Sequence, residues 1–278
     1  MTDGESRVPG GSGGSGVPGG SRVCDTPAAA WCEHGWCAHD PAAYGSGALS
    51  SAGTAPVNAR AWLLIEHDGP WAAEAVETAL PADLAKLAIG ADELGIRVQL
   101  IRRPGRAVRP GFAGGDARLA GGGAGPAVFA GWTVDPEPWL RRVPAGDFDH
   151  AALELLAEGK APGGVALEGP LYLVCAHGRR DRCCARFGVP LARDLAARYP
   201  EEAWETTHVG GHRFAGNLVI LPHGLYYGPV DSAGALDAAG AYARGEISGR
   251  GYRGRAGLDG PGRALAGVGR PADWVRVG

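Results

Sequence analysis

Lysine is almost missing from this 278-residue chain. Only Lys86 and Lys160 occur, and arginine supplies the rest of the positive charge. Together with the heavy Ala and Gly usage, that bias reads as a genome preference rather than a functional signal. Excess basic charge is lacking too: the formal net charge is −3, and a general nucleic-acid binder needs a basic footprint. No apolar run is long enough to cross a bilayer. The first 23 residues, rich in Gly, Ser and Pro, hold no apolar segment of a secretory signal. The expected location is therefore a reducing cytoplasm, where the six cysteines favour metal or redox chemistry over disulfides. Nucleotide and flavin fingerprints are absent as well. The run GGGAGP at 121–126 has no Gly-Lys-Ser/Thr after it and opens no helix, so it reads as a loop.

What is present begins with glycine and proline, 48 and 21 residues, too many for a wholly compact chain. Four regions are expected: a flexible Gly/Ser/Cys-containing tail at 1–52, an α/β lobe at 53–160, a second α/β unit at 161–246, and a basic Gly/Arg-rich tail at 247–278. In the first lobe Ala61–Glu66 (AWLLIE) reads as a buried strand ended by Asp68-Gly69-Pro70. A helix opening at Pro81 follows, with Leu84, Leu87, Ala88, Ala91 and Leu94 at helical spacing. Gly95 ends it and Ile96–Ile101 alternates as a strand, a β-α-β unit that predicts parallel pairing. A short strand at Ala127–Val134 and a helix at Asp149–Leu156 complete the lobe.

The second unit reads as strand Leu171–Cys175, a polar loop at His177–Arg182, and a helix covering at least Pro190–Tyr199. Strand Ala203–Thr207, a Gly-rich loop at 208–216, strands Leu218–Leu221 and Leu225–Tyr227, and a helix capped by Ser232 follow. This β-α-β-loop-β-β-α order is that of a thioredoxin-like domain missing one helix.

Two short segments concentrate metal-binding side chains: CAHGRRDRCC at 175–184 and HVGGH at 208–212. Each ends a predicted strand, so a parallel sheet brings both to its carboxyl edge, where open α/β sheets place ligands. Donors from two loops over 38 residues have the spacing of a metal site. Gly210-Gly211 argues for a tight turn between His208 and His212, since each glycine costs a helix interior about 1 kcal/mol. No glutamate follows His208, which removes the H-E-x-x-H zinc-hydrolase reading.

The pattern Cys175-x8-Cys184 with His208-Val-Gly-Gly-His212 resembles the sucrase/ferredoxin-like family, thioredoxin-fold [2Fe–2S] proteins. The flanks agree: CAHGRRDRCCARFG, WETTHVGGHRFAGNLVILP and LYYGPV, with GTAPVNARAWLLIEHDGPW resembling the amino-terminal lobe of bacterial members. The resemblance covers roughly 53–245 and implies Cys175, Cys184, His208 and His212 as ligands of a [2Fe–2S] cluster. No pair of carboxylates stands out for the glycoside hydrolysis that "sucrase" suggests. With two thiolates and two neutral imidazoles such a cluster is formally neutral when oxidised. It accepts an electron at a potential hundreds of millivolts above that of four-thiolate clusters. Proton-coupled transfer follows if the outer imidazole nitrogens reach water. Three residues separate the histidines, so both are expected on one iron and the cysteines on the other.

Alternatives stay open. Zinc takes the same four donors. A thiol oxidoreductase is disfavoured, because neither lobe ends its first strand in C-x-x-C. A partner-binding module without redox activity is the third. Adjacent residues entering a helix diverge by about 100°, so one of Cys183 and Cys184 faces the site, and the family spacing selects Cys184. Arg179, Arg180, Arg182 and Arg186 form either a solvated face or a docking patch for an acidic redox partner. His177 and His223 read as structural or exposed rather than as ligands. Cys24, Cys32 and Cys37, with His34 and His39, either bind a second metal or cluster by accident.

Overall fold

The computed structural model describes residues 53–105 and 126–258, with the side chains of Glu77, Asp147 and His212 outside the described set. Cys24, Cys32 and Cys37, the tail at 1–52, and the glycine run at 121–125 lie outside the described residues.

Ten strands form one mixed sheet: β1 (Ala61–Glu66), β2 (Ile96–Arg102), β3 (Val128–Trp132), β4 (Trp139–Val143), β5 (Val165–Ala166), β6 (Leu171–Cys175), β7 (Ala203–Thr206), β8 (Leu218–Leu221), β9 (Leu225–Tyr227) and β10 (Tyr252–Arg255). The helices are α1 (Ala75–Ala79), α2 (Ala82–Glu93), α3 (His150–Ala157), α4 (Arg182–Arg198) and α5 (Ser232–Ala243). The sheet order is β10-β9-β8-β6-β7-β2-β1-β3-β4-β5.

That order splits into two halves with one topology. In each half the first strand (β1 or β6) lies parallel to the next (β2 or β7) and antiparallel to the third (β3 or β8). Two more antiparallel strands extend each half outward, with a helix between them in the chain. The halves meet where β2 pairs antiparallel with β7, Ile101 opposite Thr206 and Arg102 opposite Glu205. The parallel pairs therefore overlap at their carboxyl ends. β1 and β6 carry unbroken apolar runs because each is central in its half and buried on both faces.

One face of each half is covered by its own helices. Leu63, Ile65, Leu100 and Leu153 pack on the first half, and Tyr172, Val174, Leu191 and Leu195 on the second. The opposite face carries Trp62, Leu64, Phe129, Leu173, Cys175, Trp204, Val219 and Tyr226 in one cluster spanning both halves. The sheet curls to bury it. Trp62 on β1 and Tyr226 on β9 stand five strand spacings apart, about 24 Å in a flat sheet, yet their ring centroids are 6.3 Å apart. Chain segment 54–57 closes the curl against β10, Ala55 N donating to Arg253 O and Gly257 N to Pro56 O.

Most expected elements stand where the sequence puts them, including the parallel β1–β2 pair. Three differ. The helix read from Pro190 starts eight residues earlier at Arg182, with Asp181 as its cap and Pro190 inside it. Strand β4 was not anticipated: Leu140 and Val143 face inward while Arg141 and Arg142 disguise the run. Tyr252–Arg255, expected within a basic tail, is a strand with all four residues buried.

Candidate metal centre

Three segments converge on the curled face at the carboxyl ends of β6 and β7. Cys175 is the last residue of β6 and 1% exposed. Cys184 lies in the first turn of α4, also 1% exposed. Half-buried His208 follows β7 by two residues. The ligand atoms of Cys175, Cys184 and His208 all lie within 4.8 Å of one another, and Cys184 Sγ stands 3.8 Å from His208 Nδ1. The backbone of His212 opens a single turn of 3-10 helix, His212–Phe214, on the same loop; its side chain is outside the described set. Cys183 packs instead with Ala215 and Phe187, as the angular divergence of adjacent helical residues requires.

Local structure fixes each donor. Asp181 caps α4, its Oδ1 accepting from Cys183 N at 2.8 Å and its carbonyl from Cys184 N at 3.1 Å. Gly188 lets α4 approach β6: a Cβ there would overlap the Cys175 carbonyl oxygen. The His208 carbonyl accepts from Arg97 Nη2 and Gln99 Nε2, both at 3.4 Å and both from β2. Gly210 and Gly211 adopt φ of 90° and 71°, the left-handed geometry that favours glycine and lets the chain reverse between the two histidines.

The electrostatics suit a bound cation. The Cys184 thiol donates towards Cys175 and holds its pKa well below the ordinary thiol range; burial opposes this, and His208 adds to it. The same bond, with burial, pushes Cys184 far upward. The two thiols are thus coupled, one eased and the other hindered in losing its proton, and a bound metal would take both as thiolates.

The first lobe supplies more of this site than its sequence suggested. His177, which the sequence marked as structural or exposed, is 3% exposed and its Nε2 donates to Ala72 O at 2.7 Å. Its buried Nδ1 has no partner among the described residues, and burial lowers its pKa. Trp71 meets the His177 ring edge-on at 5.9 Å. Arg179, Arg180 and Arg182 are exposed around the loop, Arg180 bridging to exposed Glu74 at 2.6 Å. His223 lies elsewhere, Nδ1 2.6 Å from Tyr242 Oη. Gln99, Arg97 and Arg253 were missed because no motif marks a polar residue that bonds a loop more than 40 positions away, and Asn217, six residues from the Gly211 it bonds, was missed with them.

The fold and site thus define a mixed α/β protein with a buried Cys–Cys–His group at the junction of two like halves. Residues 129–237 match the family model described as sucrase/ferredoxin-like. It is similar to altered inheritance of mitochondria protein 32 of Meyerozyma guilliermondii, 36% identical over 80 residues, covering 24% of this chain and 28% of that protein. The match thus spans under a third of the relative's length. No solved structure matches the chain with comparable significance. Among the described residues no helix is long and apolar enough to cross a membrane.

Proposed function

We propose that this chain is an electron-transfer protein holding a [2Fe–2S] cluster through Cys175, Cys184, His208 and His212. The observation that carries the reading is the convergence of two buried thiols and an imidazole from three separate segments. The glycine turn sets the backbone of His212 on the same loop as His208. The sucrase/ferredoxin-like match over residues 129–237 supports iron–sulfur chemistry, and the second half's strand order β7-β6-β8-β9, with α4 and α5 on one face, supports a thioredoxin-like ferredoxin domain.

When bound, the cluster supplies one-electron chemistry at a potential raised by its two imidazoles. The chain's own residues do the rest. Cys175 and Cys184, each 1% exposed, would bind as thiolates. His208, half-buried, is the route by which a proton accompanies the electron. Exposed Arg179, Arg180 and Arg182 beside the cluster loop form the docking patch for an acidic redox partner.

One observation favours a second reading. A tetrahedral zinc ion, with Zn–S about 2.3 Å and Zn–N about 2.0–2.1 Å, puts sulfur and nitrogen about 3.6 Å apart. Cys184 Sγ and His208 Nδ1 stand 3.8 Å apart, whereas donors on two different irons must stand further from each other. Metal and acid-labile sulfide analysis of anaerobically purified protein separates the two. Iron and sulfide in equal amounts support the cluster, and zinc without sulfide rejects it.

A further inference from the structure

Arg253 is a buried cation with no buried anion of its own. Its side chain is on β10, the residue is 2% exposed, and its donors reach only neutral oxygens. Nε donates to Thr54 Oγ1 at 3.0 Å, Nη2 to Thr54 O at 3.1 Å, and Nη1 to Asn217 Oδ1 at 2.5 Å and Gly210 O at 3.4 Å. Among the described residues no carboxylate lies within ion-pair range of it. Two residues along the strand, Arg255 does have one, Asp135 at 2.8 Å. A guanidinium stays charged at neutral pH, and a buried charge left without compensation costs several kcal/mol.

Besides its two bonds to Thr54, Arg253 is tied to the histidine turn. Asn217, which accepts from Arg253, donates through Nδ2 to Gly211 O at 3.1 Å. A Cβ on Gly211 would overlap Arg253 Nη2 and stand 2.9 Å from Cζ, so this glycine makes room for the guanidinium as well as turning the chain. The fork stacks over Phe214 at 4.8 Å and Tyr226 at 5.5 Å, which fixes its plane. From the other half, Arg97 bonds the His208 carbonyl and lies over Trp62 at 5.5 Å. Its buried Nε has no partner among the described residues. The segment 208–211 is therefore held from both sides by arginines, one from each half of the molecule.

We propose that Arg253 is a positioning residue for the metal centre: its fork holds the 208–212 turn in place, and its buried charge sits near the sulfur donors, where it favours their thiolate form. This rests on the Cys/His group being a metal site, as read above, but not on which metal fills it. Arg97 is the opposing half of the clamp. The charge arithmetic gives a direction. An added electron makes the site more negative, so a guanidinium nearby favours the reduced state.

The test compares Arg253→Gln and Arg253→Lys with Arg255→Lys in the full chain; Arg255 is a buried strand arginine whose donors go to His223 O, Asp135 and Thr133 O and not to the turn. Metal-free protein is titrated with Co2+ against a competing chelator, read by thiolate–cobalt absorption, with thermal unfolding in parallel. Both Arg253 variants are expected to weaken Co2+ binding by about 10- to 100-fold, as loss of a ligand's supporting contact does; a lysine cannot rebuild the fork. Arg255→Lys is expected to leave Co2+ affinity within twofold while lowering the unfolding temperature comparably. In iron-loaded protein, Arg253→Gln is expected to shift the reduction equilibrium about tenfold towards the oxidised state, about 59 mV for one electron, and Arg253→Lys to retain the potential. Wild-type Co2+ affinity in both Arg253 variants overturns the proposal. So does equal weakening by Arg255→Lys, or a wild-type protein that takes up no Co2+. Purified protein that carries zinc in place of iron sinks the electron-transfer reading while the Co2+ comparison still decides this one.

Discussion

Gly188 offers a substitution whose sign is opposite to what its helix alone dictates. It lies in the interior of α4 and is buried. Glycine there costs about 1 kcal/mol relative to alanine, so on propensity Gly188→Ala stabilises. The packing says otherwise. A Cβ at this position would overlap the carbonyl oxygen of Cys175 and stand 2.9 Å from its carbon and 3.5 Å from Ala176 Cα. All three are backbone atoms, so no rotamer change relieves the contact, and α4 must move away from β6. Overpacking costs about 1–3 kcal/mol, and backbone against Cβ belongs at the upper end. Subtracting the helix gain leaves a net loss of about 2 kcal/mol, or roughly 4–8 °C in Tm for a protein of this size. The same displacement draws Cys184, one turn earlier on α4, from Cys175. The variant is therefore expected to lose metal as well as stability. Gly240 in α5 is the control, since a Cβ there meets only the end of the Arg244 side chain at 3.5 Å; Gly240→Ala is expected to gain about 0.5–1 kcal/mol. Urea unfolding with metal analysis measures both. A Gly188→Ala protein as stable and as metal-loaded as wild type refutes the argument that α4 is seated on the Cys175 carbonyl.

Other outcomes follow from the same contacts. Asp181→Ala removes the cap of α4 and is expected to cost about 1 kcal/mol and to weaken metal retention through Cys184, measured by unfolding and metal content. Cys184→Ser is expected to abolish metal binding and Cys183→Ser to preserve it, since Cys183 packs against Ala215 and Phe187; the reverse pattern contradicts the assignment. Burial beside Arg255 lowers the His223 pKa to about 4. The unfolded chain then binds the proton first, so this residue's contribution is present above about pH 6.5 and is lost as pH falls towards 4. It amounts to about 3 kcal/mol at most, and a His223→Gln protein should show a flatter stability profile across that window.

The sequence carried the elements whose apolar runs are unbroken or strictly periodic. Ala61–Glu66, Leu171–Cys175 and Leu218–Leu221 are central strands, and their composition leaves little choice. It failed where a second rule competed. Pro190 resembles a helix start because its missing N–H is harmless there, yet Asp181, a stronger signal, caps the helix nine residues before it. Arg253 and Arg255 look like solvated tail charges; only the curl of the sheet, with chain segment 54–57 laid on β10, shows them as buried donors. At the candidate site the motif spacing was enough to bring Cys175, Cys184 and His208 to attention; the helical angle admitted only one of Cys183 and Cys184, and the family spacing selected Cys184. The likeness of the two halves was not legible, because they share strand order and pairing while the first lacks the cysteines and histidines that drew notice to the second. Nor was the junction: Ala72, Arg97 and Gln99 reach the site across more than 100 residues.

The central claim is histidine ligation of a di-iron core, and EPR of dithionite-reduced protein grown with 15N-histidine tests it most directly. The account predicts a one-electron-reduced signal with hyperfine coupling to two imidazole nitrogens, both lost in a His208→Ala, His212→Ala protein. A colourless, EPR-silent protein, or a reduced cluster that shows no nitrogen coupling, contradicts it.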